Sequence, residues 1–181
     1  LAATSIQTVT VQGGDGTGES AAIIATGAVT YEALNIKGGT HADGDALVTL
    51  NGAGTQALGA ATLNSDDGDA TLEVVTIAGA TTISGTIDGA AAGEGIMLIQ
   101  DTDNGNSDLA TFSGNVGSTY KLASVTLGTA NTIAGSATFS GNLAATTITV
   151  NSGNHNDDDS ALIVTGTTTA TTLNVSATTD A

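Results

Sequence analysis

The chain contains no cysteine, proline, tryptophan or arginine, and aromatic residues make up only 2% of its 181 residues. A protein without disulfides can occur inside or outside the cell, so the missing cysteine leaves the redox compartment open. Leucine, alanine and β-branched residues must fill the core, because large aromatic side chains are almost absent. Since β-branched residues favour a pleated surface, the composition predicts a chain that is nearly all β.

Positive charge is also scarce. Lys37 and Lys121 stand against 18 acidic residues, which gives a net charge of -16. Such a chain has no electrostatic attraction for nucleic acid or for an anionic membrane.

No apolar run approaches the roughly 20 residues that span a bilayer, and no basic signal peptide opens the sequence. We therefore expect no membrane insertion and a soluble chain; the mature form of a longer protein is one of its possible origins. Two lysines leave a trypsin-like protease two cleavage sites, which favours an exposed extracellular material.

Apolar segments that end in glycine recur along the sequence. The glycines stand at intervals of 25, 27, 35, 27 and 25 residues. They are Gly27, Gly52, Gly79, Gly114, Gly141 and Gly166. A second, often Thr-rich segment follows most of them, and in "TTITV" apolar and polar residues alternate with the period of two that a half-buried strand requires. One unit therefore consists of a strand, a glycine corner, a second strand and a polar loop.

This regular spacing predicts an all-β fold, a β-solenoid-like stack of about six 25–27-residue two-strand repeats. A β-sandwich of linked hairpins is the alternative, because it accepts units of the same length. We expect a single repeat domain over residues 1–181. The 35-residue interval predicts an insertion at about 88–108, in which "IMLIQ" resembles an extra strand.

Acidic residues recur in the loops that precede the glycine-ended segments. Five of the six loops contain them, including "GGDGTGES" and "NSGNHNDDDS". Stacked units would bring these loops together as one acidic ridge, which repulsion opposes unless salt, protons or cations screen the charge. A divalent cation is one answer; the other is that Asp, Asn and Gly are simply turn formers.

Two acidic stretches are candidate metal sites. "DTDNGNSD" places Asp101, Asp103 and Asp108 as oxygen ligands in a pattern that partly resembles a calcium loop. Gly105, Asn106 and Phe112 depart from the EF-hand pattern, so an ordinary Asx-rich turn is the alternative. The second stretch is the triplet Asp157, Asp158 and Asp159. Calcium is thus the cofactor that the sequence predicts.

Catalytic chemistry has little support in the sequence. His41 and His155 are the only histidines, and each stands in an acidic loop without a partner motif for nucleophilic catalysis or zinc. The sequence lacks a Gly-x-Ser-x-Gly elbow and a phosphate-binding P-loop. Carboxylate pairs can cleave glycosides, but such sites also use basic and aromatic groups that are scarce here. We expect no enzyme activity, no catalytic residue and no bound organic cofactor.

The segments "SATFSGNLAATTITVNSGN" and "ALIVTGTTTATTLNVSATTD" resemble the Ala/Thr/Gly-rich β-repeats of bacterial surface layers, extracellular filaments, autotransporter-like adhesins and phage tail fibres. The resemblance covers nearly the whole chain but is one of composition and repetition, so no functional residue is transferred. It implies an extracellular or cell-surface structural role. We expect self-assembly with copies of the same chain through edge strands that have no polar cap. The alternative is a glycan- or surface-binding module of an adhesin or tail fibre.

Overall fold

The computed structural model describes residues 5–52, 54–76, 80–102, 108–129, 133–153 and 159–176. Within these ranges it contains fourteen β-strands and no helix, and therefore no helix that could cross a membrane. The strands are β1 (Ser5–Gln12), β2 (Ala21–Ala25), β3 (Thr30–Lys37), β4 (Ala46–Asn51), β5 (Gly54–Asn64), β6 (Ala70–Thr76), β7 (Thr81–Gly89), β8 (Ile96–Asp101), β9 (Leu109–Phe112), β10 (Leu122–Leu127), β11 (Ser136–Phe139), β12 (Leu143–Asn151), β13 (Leu162–Val164) and β14 (Thr168–Ser176).

The strands form two seven-stranded parallel sheets. The odd-numbered strands make the first sheet in the order β1 to β13, and the even-numbered strands make the second sheet in the order β2 to β14. Consecutive strands alternate between the sheets, so the chain winds as a β-solenoid of about six turns. Linked hairpins would require antiparallel neighbours, whereas every ladder between the named strands is parallel. The predicted solenoid is confirmed.

Inward-facing residues stack on one another from coil to coil in three continuous rows. Row 1 consists of Ile23, Val48, Leu72, Met97, Val125, Ile148 and Leu173. Row 2 consists of Ala25, Leu50, Val74, Ile99, Leu127, Val150 and Val175. Row 3 consists of Val9, Leu34, Ala61, Ile87, Val116, Leu143 and Thr168. Their interior members are almost fully buried, so small and medium side chains fill this core, as the composition predicts.

The segment "IMLIQ" belongs to strand β8, which pairs with β6 on one side and with β10 on the other. It is thus an ordinary member of the second sheet. Of the glycine-ended segments, the first three form β2, β4 and β6 in the second sheet, and the last three form β9, β11 and β13 in the first sheet. The segments therefore stack in register within each half of the chain, and β8 marks the change from one sheet to the other.

Candidate functional site

The acidic loops lie at two different corners of the solenoid. Loops that lead from the first sheet to the second contain Asp15, Glu19, Asp43, Asp45, Asp66, Asp67, Asp69 and Glu94. Loops that lead from the second sheet to the first contain Asp108 and Asp159 among their described residues. The expectation of one acidic ridge is wrong, because β8 moves the later loops to the other corner. Electrostatic repulsion among the loop carboxylates is therefore divided between two corners of the solenoid.

At the second corner, Asp101 closes the loop that leads to β9. It is the last residue of β8 and only 8% exposed. Its Oδ2 accepts a hydrogen bond of 2.8 Å from the backbone N–H of Asp108, and its own N–H donates to the carbonyl of Ala134 at 2.8 Å. The hydroxyl of Thr76 donates to the carbonyl of Asp108 at 3.5 Å. The Asp101 carboxylate is thus bound to the backbone of Asp108, and the two residues terminate the same loop.

The neighbouring loops of this corner are connected by side-chain hydroxyls. The Ser136 hydroxyl donates to the carbonyl of Asp159 at 3.3 Å and accepts from the N–H of Ala161 at 3.0 Å. The Ser160 hydroxyl accepts from the N–H of Gly135 at 2.9 Å and donates to the carbonyl of Asn151. These bonds fix the backbone of Asp159 against the coil before it. None of these four bonds involves a carboxylate oxygen of Asp159.

Three of the six predicted metal ligands, Asp103, Asp157 and Asp158, lie outside the described residues, as does His155. Among the residues the structure does describe, no three His, Cys, Asp or Glu side chains are grouped so that they could hold a metal ion. The structure brings together Asp101 and Asp108. Calcium remains a prediction that depends on this pair and on ligands in the undescribed part of the loops.

At the first corner, carboxylates form contacts typical of turns and of stacked coils. Asp15 accepts a hydrogen bond of 3.0 Å from the hydroxyl of Thr40, and Asp45 accepts one of 3.0 Å from the N–H of Asp69. Each bond joins one coil to the next. These contacts agree with the turn-former interpretation, and they orient the carboxylates without requiring a cation.

His41 lies in the same corner. Its Nδ1 accepts a hydrogen bond of 3.3 Å from the N–H of Asp43 and lies 3.8 Å from the Asp43 carboxylate. The side chain is 43% exposed. These contacts and this exposure are typical of a solvated turn.

The sequence patterns did not reveal a groove on the outer surface of the second sheet. It has a volume of ≈ 400 Å³. Ala22, Leu47 and Leu98 contribute apolar surface, and Asp69 and Glu73 contribute carboxylates. Glu73 is oriented by the hydroxyl of Thr49, which donates to its Oε2 at 2.7 Å. The sequence does contain one indication of this groove. The period-two pattern assigns the positions of Leu47 in β4 and Leu98 in β8 to the solvent side, where leucine is unexpected.

Apolar side chains are exposed mainly in the first and last described coils. Six large hydrophobic residues are exposed among those described: Ile6, Ile24, Tyr120, Ile163, Leu173 and Val175. All but Tyr120 lie on β1, β2, β13 or β14.

No family model, curated protein or solved structure matches this chain.

Proposed function

We propose that this chain is a non-catalytic structural subunit that self-assembles outside the cell into a surface layer or filament. The observation that carries the proposal is the concentration of exposed apolar side chains on the first and last described coils. Strands β1, β2, β13 and β14 also contain no charged residue. Most of the acidic residues lie in the loops instead.

The composition of the outermost described strands is the physical basis of this proposal. An exposed strand offers unpaired N–H and C=O groups, and monomeric proteins usually block it with charged residues, proline or a covering segment. The outer strands here have neither charge nor proline. Strand addition from another copy would satisfy these groups and bury the apolar side chains in the same step.

The extracellular location and a stabilising calcium ion belong to the same proposal. The location is supported by the resemblance to surface-layer, filament, adhesin and tail-fibre repeats, and calcium by the Asp-rich loop that Asp101 and Asp108 terminate. Calcium favours carboxylate and carbonyl oxygens, and its binding would reduce repulsion among loops on a chain of net charge -16.

The test is the association state of the purified 181-residue chain. Sedimentation velocity and negative-stain microscopy over a concentration series with millimolar calcium should show large, regular assemblies. Val175→Lys should suppress them, because it places a charge on an outer strand. Thr149→Lys, on the outward surface of an interior strand, should assemble as the wild type does. A monodisperse monomer at high concentration with calcium would refute the proposal.

The groove on the second sheet favours a second function, a glycan- or surface-binding module. Its carboxylates accept hydrogen bonds from sugar hydroxyls, while Leu47 and Leu98 offer apolar contact. A glycan array should then show binding that Asp69→Asn combined with Glu73→Gln weakens. Deletion of residues 88–108 is a poor test, because it would remove β8 from the middle of the sheet. An array without any binding would exclude this alternative.

A further inference from the structure

Rows 1 and 2 end in exposed side chains at the last described coil. Leu173 is 60% exposed and Val175 is 73% exposed, although Ile148 and Val150, their neighbours in rows 1 and 2, are buried. Leu173 and Val175 therefore occupy core positions over which no described coil packs. We call the outer surface of β13 and β14 the trailing face, and the outer surface of β1 and β2 the leading face.

The leading face offers the same three rows from the other side. Row 1 begins at Ile23, row 2 at Ala25 and row 3 at Val9. These apolar side chains have the alternation and strand spacing that the trailing face requires, since both faces belong to the same two sheets. The first coil of another copy therefore has the side chains needed to cover Leu173 and Val175.

The direction of the strands restricts how two copies can meet. Both sheets are parallel throughout, and so are the bridges at Val116 through which row 3 passes from the first sheet to the second. A leading face on a trailing face therefore continues parallel pairing in all three rows. Two identical faces brought together would run antiparallel across the contact and change the hydrogen-bond pattern. A contact between different faces does not close in a pair. Because the two faces lie at opposite ends of the sheets, repeated contacts add copies along the solenoid axis and generate an open, polar filament.

The charge distribution permits this contact. In the first coil, the acidic loop with Asp15 and Glu19 separates Val9 of row 3 from Ile23 of row 1. In the last coil, strand β14 itself carries both Thr168 of row 3 and Leu173 of row 1. It crosses the same corner without a charged residue, so the acidic loop of an incoming copy would meet no carboxylate of β14.

We propose that one copy seats its leading face on the trailing face of another, with Ile23 on Leu173, Ala25 on Val175 and Val9 on Thr168. The three rows then continue from copy to copy, and the assembly is a polar, axially stacked filament. This inference rests on the proposed self-assembly and adds its partner surface and polarity.

Cysteine cross-linking tests the contact, because the chain has no cysteine of its own. Neighbouring strands lie about 4.8 Å apart, which falls within the Cα separation that a disulfide accepts. Ile23→Cys mixed with Leu173→Cys should give a covalent dimer on mild oxidation, and a double variant should give a ladder of covalent multimers. Each single variant alone should give far less dimer, and so should Thr126→Cys, an outward residue of an interior strand. Circular dichroism should show the wild-type fold in every variant.

The alternative results separate the two proposals. If Leu173→Cys alone cross-links as well as the mixture, like faces meet and the inference is overturned. If assemblies form but the mixture does not cross-link, the inference is overturned while the proposed self-assembly stands. If the wild type does not assemble, the proposed function falls together with it.

Discussion

The rings of Phe112 and Phe139 stack across strands β9 and β11, with centroids 4.7 Å apart and an interplanar angle of 10°. Both side chains are almost fully buried. They occupy equivalent positions in consecutive coils, since the two residues pair in the parallel ladder. In a core made mainly of small and medium aliphatic residues, they are the largest fully buried side chains.

Phe139→Ala should therefore destabilise the protein by about 3–5 kcal/mol, because it removes a large buried side chain and leaves a cavity. Phe139→Leu should cost less, since it keeps most of the apolar volume. Urea unfolding measured by circular dichroism gives both values. Equal stability of the alanine variant and the wild type would contradict this packing.

The glycines that end the apolar segments stack closely in the second half of the chain. A Cβ on Gly114 would lie 1.8 Å from the carbonyl oxygen of Gly85, and one on Gly166 would lie 2.4 Å from that of Gly141. Gly114→Ala should force neighbouring coils apart and cost about 3 kcal/mol or more. Gly27→Ala is the matched control, because a Cβ there meets nothing within 4 Å. Thermal melts should show a large loss for the first variant and little change for the second.

Much of the fold could be predicted from the sequence because each coil repeats the same physical requirements. Alternation identified strands such as β12, and the glycines at 114, 141 and 166 marked positions where backbones of adjacent coils approach closely. What spacing could not supply was the sheet to which each segment belongs. Strand β8 looks like an insertion in the sequence, but its pairing with β6 and β10 is that of a regular strand. Because consecutive strands alternate between the two sheets, one additional strand places every later segment in the opposite sheet.

The candidate sites were predicted less completely. The pairing of Asp101 with Asp108 could be expected, because the residues flank one short loop. The groove beside Asp69 and Glu73 could not, since its lining comes from strands about 25 residues apart whose register only the structure gives. The exposed Leu173 and Val175 show the same limit. Their pattern is that of buried strand residues, and only the stacking order shows that, among the described coils, they have a neighbour on one side alone.

Tyr31 provides a pH-dependent test of the core. It is 6% exposed and lies beside Leu58 of the next coil. Burial raises the pKa of the Tyr31 phenol above its ordinary value. The unfolded chain then loses this proton first, so stability is fully present below about pH 10 and falls as the pH rises towards the folded pKa. Tyr31→Phe should flatten this alkaline loss in urea titrations, and Tyr120→Phe, at an exposed position, should not. An unchanged profile for Tyr31→Phe would contradict the assignment.

Repulsion among the acidic loops should make assembly depend on salt and calcium. The net charge is -16 per chain, and loops within a Debye length of about 10 Å at 0.1 M salt still repel one another. Low salt with a chelator should therefore loosen the assembly and lower the melting temperature, while calcium should restore both by mass action. Monovalent salt at equal ionic strength should restore them only in part if specific sites exist. Sedimentation and melting curves that do not respond to chelator would remove calcium from the proposal.

The role of Asp101 can be separated from general screening with two substitutions. Asp101→Asn keeps an oxygen that can accept the hydrogen bond from the N–H of Asp108, but it removes a negative charge and so weakens the attraction for a calcium ion. Without calcium, its stability should therefore stay close to that of the wild type, while the increase in melting temperature on adding calcium should become smaller. Asp101→Ala should lower stability under both conditions by about 1 kcal/mol, because the partly buried N–H of Asp108 would lose this acceptor. Asp15→Asn, at the other corner, is the matched control. If calcium raises the melting temperature of Asp101→Asn as much as that of the wild type, then Asp101 acts only as a loop-closing acceptor and calcium binds elsewhere.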